Sequence, residues 1–147
     1  MSNRPVCLVT GASRKQGIGA AIAVDLAQAG WDVAITYWQP YDESMPWASH
    51  PADAAELLVK IQNFAPDSIA IESDLSQTES PKKIFDFVEA NLSTVNGLIM
   101  SHCLSIDSDI LNTTIELFDQ HFAINARATW LMVKEFGSRF QGKFGSG

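Results

Sequence analysis

Thr10-Gly11-Ala12-Ser13-Arg14-Lys15-Gln16-Gly17-Ile18-Gly19 joins the first apolar run of the chain to its first helical pattern. Each glycine has a separate physical use there. Gly11 permits a tight turn, Gly17 lets the backbone approach a phosphate, and Gly19 lets helix and strand pack closely. The helix that follows offers unpaired N–H groups and a partial positive charge to an anion. Context makes the motif specific. Val6-Cys7-Leu8-Val9, just before it, is apolar on both faces, as in a strand buried inside a parallel sheet. A dinucleotide is the ligand such a turn holds, with Gly11, Ser13, Arg14, Lys15, Gly17, Ile18 and Gly19 as its candidate contacts.

Outward from that turn the pattern alternates. Ile18, Ile22 and Leu26 recur at four-residue spacing and predict a helix over 18–29, with Gly30 placed to end it. Strands are predicted at 33–37, 68–72 and 98–100. Between them, 54–64 reads as a helix with Leu57, Leu58 and Ile61 on one side. Ser80-Pro81 signals another helix start, a capping hydroxyl followed by proline, which Ile84, Val88 and Leu92 continue. The segment Trp38 to Pro51 has no period and reads as a long loop, and loops of that length are often functional. Thr114 is placed to cap a last long helix reaching about Phe136. One stripe of it holds Phe118, Phe122, Asn125, Thr129, Met132 and Phe136, the next Leu117, Ile124, Ala128 and Leu131, predicting a broad buried face.

Strand and helix alternating in this way predict βαβ units, right-handed crossovers and a parallel α/β sheet. Ligands of such sheets bind beyond the carboxyl ends of the strands, near the point where strand order reverses. The glycine turn, the turn at Asp74 and the turn after Met100 are therefore expected on one edge.

Composition narrows the function classes. The chain has 147 residues, 46% of them apolar and 18% charged, enough for a core and unlike a disordered tail or a coiled coil. A formal charge of −7, with no basic run longer than Arg14-Lys15 or Lys82-Lys83, argues against nucleic acid or an anionic membrane as partner. No stretch approaches the ~20 apolar residues of a membrane span. Met1 to Pro5 runs straight into the first strand, so no signal peptide is expected. Cys7 and Cys103 fall in segments that read as buried strands, and two lone thiols suggest a reducing cytoplasm. His50, His102 and His121 are scattered, so no metal site is expected.

At these motifs the sequence resembles the short-chain dehydrogenases/reductases. Their loop reads Thr-Gly-x-x-x-Gly-x-Gly; here five residues separate Gly11 from Gly17, as in members named 3-oxoacyl-acyl-carrier-protein reductases and in related enoyl reductases. Asp74-Leu75-Ser76 is similar to the family's acidic turn after the third strand, which implies that Asp74 and Leu75 border the adenine. Phe122-Ala123-Ile124-Asn125 resembles the catalytic-asparagine segment, where the asparagine sits at a helix kink and holds a water in a proton relay. Read from the residues alone, Asn125 is equally a core amide bonded to nearby backbone, since a buried amide left unpaired costs ~1–3 kcal/mol. The resemblance covers all 147 residues and implies a Rossmann-like doubly wound sheet, incomplete on its C-terminal side.

Two departures shape the functional expectation. The family's Asn-Asn-Ala-Gly after the fourth strand is Ser101-His102-Cys103-Leu104 here, leaving Ser101 and His102 as candidate cofactor contacts and His102 equally a plain polar contact. The family's serine and Tyr-x-x-x-Lys are also missing: four residues after Tyr37 stands Tyr41, and four after Tyr41 stands Met45. A tyrosine with an ordinary pKa near ~10 is a poor base without that lysine. The resemblance thus implies an NAD(P)-dependent oxidoreductase moving hydride between a nicotinamide and a carbonyl or alcohol, a 3-oxoacyl thioester being one candidate, with this chain inactive alone. A non-catalytic nucleotide-binding module and an enoyl reductase are the alternatives. Thr36-Tyr37-Trp38 offers no carboxylate before Asp42 to pair a ribose 2′-hydroxyl, while Arg14 or Lys15 can neutralise a 2′-phosphate, so NADP is expected over NAD. A sheet left short would expose the last helix, so either self-association as a homo-oligomer or derivation of this chain by cleavage of a longer one is expected.

Overall fold

A computed structural model of the protein describes residues 3–46 and 50–142. Among them, β1 (Val6–Thr10), β2 (Asp32–Tyr37), β3 (Ile69–Glu72) and β4 (Val95–Met100) form one parallel sheet in the order β3-β2-β1-β4. Strand order reverses between β1 and β4. The predicted fourth strand starts earlier than its apolar triplet, because Asn96 bulges out of the ladder and its Oδ1 accepts from the Val6 N–H at 2.9 Å. That side chain replaces the ladder bond that the bulge removes.

The helices are α1 (Ile18–Gln28), α2 (Gln39–Ser44), α3 (Asp53–Gln62), α4 (Ser80–Asn91), α5 (Ile115–His121) and α6 (Thr129–Arg139), the last two joined by a π-helical segment, Phe122–Ala128. Sheet alternation splits the core in two. Cys7, Val9, Val33 and Ile35 pack under α1 and α3, while Val6, Leu8 and Ala34 pack under α4 and α6. Both faces of β1 are covered, which is why its sequence is apolar without a break. Phe85, Leu8, Ile35, Leu57, Ile61, Ile84 and Met132 are fully enclosed, each contributing about 1.5–3 kcal/mol of burial.

Several expectations are corrected. The helix predicted from Ile18, Ile22 and Leu26 is α1, though of these only Leu26 packs against the core; Ile18 is 76% exposed, and Gly19, Ala20, Ala23, Val24 and Ala27 form the buried face. Small side chains win that face because they let the helix lie close on the strands. Ser80 is the first residue of α4 and not its cap, and its hydroxyl donates to the Asp74 carbonyl at 2.6 Å. The segment expected to be one loop contains α2, with Pro40 in its first turn; Trp47, Ala48 and Ser49 lie outside the described residues. Cys103 is exposed, because β4 ends at Met100 and the thiol sits on the loop beyond it. Cys7 is buried, and burial pushes its thiol up to about 11.

The last helix differs most. Thr114 caps it as expected, its Oγ1 accepting from Leu117 N–H at 3.1 Å. The predicted buried face is mostly open, however: Phe118 is 63% and Phe122 58% exposed, and only Ala123, Ala128 and Met132 are buried. The reason is that α5 packs mainly against its own continuation, and the segment reaches α4 and β4 mainly through α6, with Ala128 joining the core just before it. Arg139 ties α6 to α4 through Asp86 and Glu89, with its guanidinium over the Phe85 ring at 5.5 Å.

Candidate functional site

The glycine turn leaves β1 with Gly11 in the left-handed region, φ +70°. A Cβ there would stand 2.6 Å from the backbone of Ser101 and His102, so Gly11 is pressed against the end of β4. Gly19 is tight for a different reason: its Cβ would meet the Gly11 carbonyl at 2.9 Å and Ala12 at 3.4 Å. The close contact at Gly19 is thus between the start of α1 and the turn just beyond β1. Between them the five-residue insert closes on itself, Gly17 N–H donating to the Arg14 carbonyl at 2.9 Å. No side chain caps the N-terminus of α1. Its first amides stay available to an anion.

A cleft of about 310 Å³ opens at the carboxyl ends of all four strands, at the lower end of ligand-sized clefts. Gly11, Ser13 and Arg14 form one wall; Ser101, His102 and Leu104 form another; Asp74 and Leu75 close the β3 end. The three turns therefore share one edge, as expected. Lys15, Gly17, Ile18 and Gly19 do not line the cleft. Lys15 turns away to Glu56 and Asp53, and Glu56 holds its ammonium above the usual range. Arg14 is the cation of that pair left at the cleft.

The cleft also holds residues that pattern reading did not single out as ligand contacts: Tyr37 and Trp38 at the end of β2, and Tyr41 and Asp42 on α2. Their one signal was the unusual length of the segment after β2. Asp42 is 4% exposed. Burial raises its carboxyl above the ordinary range, while the Ser13 hydroxyl and the Arg14 charge pull it back. The Asp74 carboxylate accepts from Ser76 N–H at 2.9 Å and so fixes its own turn.

His102 is turned inward and stitches the end of the sheet to the last helix. Its Nδ1 lies 2.6 Å from Thr10 Oγ1 and its Nε2 3.4 Å from Thr129 Oγ1. Burial lowers its pKa, and a hydrogen bond with the Ile124 backbone opposes the shift. Because the folded value lies below the unfolded one near ~6.5, the unfolded chain binds the extra proton first. Stability from neutral His102 is full above pH ~6.5 and declines as pH falls below it. In urea titrations, the difference between the protein and His102→Gln is expected to shrink on acidification from pH ~7 to ~5.

Asn125 lies in the middle of the π-helical segment, a form concentrated at functional sites. Its Oδ1 accepts from the Leu104 N–H at 2.8 Å and its Nδ2 donates to the Leu104 carbonyl at 2.9 Å. The side chain does not line the cleft; it holds the loop that does. Thr129 Oγ1 donates to the Asn125 carbonyl at 3.0 Å.

Comparison with known proteins places this geometry. Residues 11–147 match the family described as enoyl-(acyl carrier protein) reductase. The chain is 32% identical to elsinochrome reductase 1 of Elsinoe fawcettii over 88% of its own length and 44% of that protein. It is 28% identical to a chloroplastic NADPH-dependent aldehyde reductase-like protein of Arabidopsis thaliana, over 92% of the chain and 50% of that protein. A short-chain dehydrogenase from Burkholderia cenocepacia J2315, solved with NADP, superposes with a TM-score of 0.80 at 26% identity, over 92% of this chain and 51% of that one. The chain thus spans about half the length of the relatives it matches. With the glycine turn, the strand order and the π-helical asparagine in place, the chain belongs to the short-chain dehydrogenase/reductase family.

Proposed function

We propose that this chain holds the cofactor of an NADP-dependent oxidoreductase that moves hydride between a nicotinamide and a carbonyl or alcohol. One observation carries the reading. The glycine turn, with Gly11 and Gly19 packed too closely to admit a side chain, borders a cleft at the point where strand order reverses. When bound, the nicotinamide supplies the hydride, and the protein supplies orientation. The uncapped start of α1 would hold the pyrophosphate, Asp74 and Leu75 would border the adenine, and Ser101 and His102 would stand near the nicotinamide ribose. Asn125 would act at the catalytic end by fixing Leu104. Arg14 at the cleft, no carboxylate in Thr36-Tyr37-Trp38, and the NADP named for the Arabidopsis and Burkholderia proteins all support a 2′-phosphate.

Fluorescence titration with NADPH and NADH tests this. Arg14→Ala is expected to weaken NADPH binding about tenfold, the size of one charge-assisted hydrogen bond, and to leave NADH nearly unchanged. Equal binding of the two nucleotides by the unaltered protein would refute the 2′-phosphate assignment. These 147 residues contain no Tyr-x-x-x-Lys, so the purified chain is proposed to bind NADPH without turning it over. Assays with 3-oxoacyl and enoyl thioesters cover both substrate classes, the second because of the description attached to the matching family. The open Phe118, Phe122 and Trp130 fit the proposed self-association.

A further inference from the structure

Tyr41 stands on α2, on the β2 side of the cleft, yet its hydroxyl accepts from the Ser105 N–H at 3.1 Å, across 64 positions of sequence. β1 lies between β2 and β4 in the sheet, so this contact bridges the walls on either side of the glycine turn. Both ends are anchored. On the α2 side, the buried Asp42 lies against Ser13 and the Arg14 charge. On the other, Leu104, adjacent to Ser105, is held by both polar atoms of the Asn125 side chain. Among the described residues, two anchored bodies are therefore joined across an open cleft by an exposed hydrogen bond. Nothing in hydride transfer requires that bond.

We propose that Tyr41 is a positioning residue that closes the cofactor cleft: a dinucleotide enters and leaves only while the Tyr41–Ser105 bond is open. This rests on the reading of the cleft as a nicotinamide dinucleotide site. Tyr41→Phe keeps the ring and removes the hydroxyl. Stopped-flow measurement with NADPH and the purified full chain is expected to show association and dissociation both about fivefold faster, the equivalent of one net hydrogen bond, with little change in equilibrium affinity. Ser105→Pro, which removes the donor N–H, is expected to reproduce the effect, and the double variant to add nothing further. Unchanged rates, a faster exit with unchanged entry, or additive effects in the double variant would each overturn the closure. A merely structural tyrosine would lower the thermal midpoint without moving either rate. If the unaltered protein fails to bind NADPH, this inference falls with the proposed function; if it binds and the Tyr41→Phe rates stay put, only the closure falls.

Discussion

Gly11→Ala is expected to lose about 2–5 kcal/mol of folding stability and, with it, the ability to hold NADPH. About 1–2 kcal/mol comes from forcing an L-residue to φ +70°. A further ~1–3 kcal/mol comes from overlap with the backbone of Ser101 and His102, 2.6 Å from the new Cβ. Neither neighbour yields cheaply, because Ser101 N–H donates to the Thr10 carbonyl at 3.1 Å and His102 is tied to Thr10 Oγ1. Gly30→Ala separates the two contributions. Gly30 has φ +94°, and a methyl group added there would meet nothing within 4 Å, so only the backbone strain is expected. Urea unfolding of both variants, with NADPH titration, makes the comparison. Equal losses at the two glycines would show that Gly11 is not packed against β4.

Asn125→Ala is expected to cost about 1–3 kcal/mol, the net worth of two part-buried hydrogen bonds to the Leu104 backbone. Asn125→Asp is the sharper probe. It keeps the acceptor for the Leu104 N–H but sets a carboxylate oxygen against the Leu104 carbonyl. Protonating that carboxyl restores a donor, so its pKa in the folded protein must rise above the ordinary ~3.9. For a raised carboxyl, stability is fullest below the unfolded pKa and is lost as pH rises through the folded value. The Asn125→Asp deficit is therefore expected to be largest at pH 7 and to shrink toward pH 4. Chemical unfolding across that range reads it, and a deficit independent of pH would mean that the two hydrogen bonds are not made.

The parts of the fold legible in sequence were those fixed by local chemistry. β1 is read from Val6 to Val9 because both its faces are buried, and the glycine turn because close approach and positive φ leave no other residue type. What sequence pattern missed depends on neighbours distant in the chain. The spacing of Ile18, Ile22 and Leu26 gives the helix but not its buried face, which is the smaller one of Gly19, Ala20, Ala23, Val24 and Ala27. Phe118 and Phe122 read as core because periodicity cannot tell a face that is covered from one that is not. In the site, Arg14 and Lys15 are indistinguishable adjacent cations until α3 supplies Glu56 and Asp53 to one of them. Tyr41 and Asp42 were invisible as site residues, because only the pairing of Tyr41 with Ser105 and the nearness of Asp42 to Ser13 give them one.

The small inner face of α1 has a consequence for how this protein can change over generations. Gly19, Ala20, Ala23 and Ala27 set the height at which the helix rests on the strands, and so the height of its leading amides above the cleft floor. Enlarging any of them would lift the whole rod and carry those amides out of reach of an anion, even where, as at Ala23 and Ala27, the side chain lies turns away from the leading end. Outer positions such as Ala21 and Asp25 carry no such constraint. Drift is therefore free on one side of this helix and frozen on the other, and the frozen side is written in alanine and glycine.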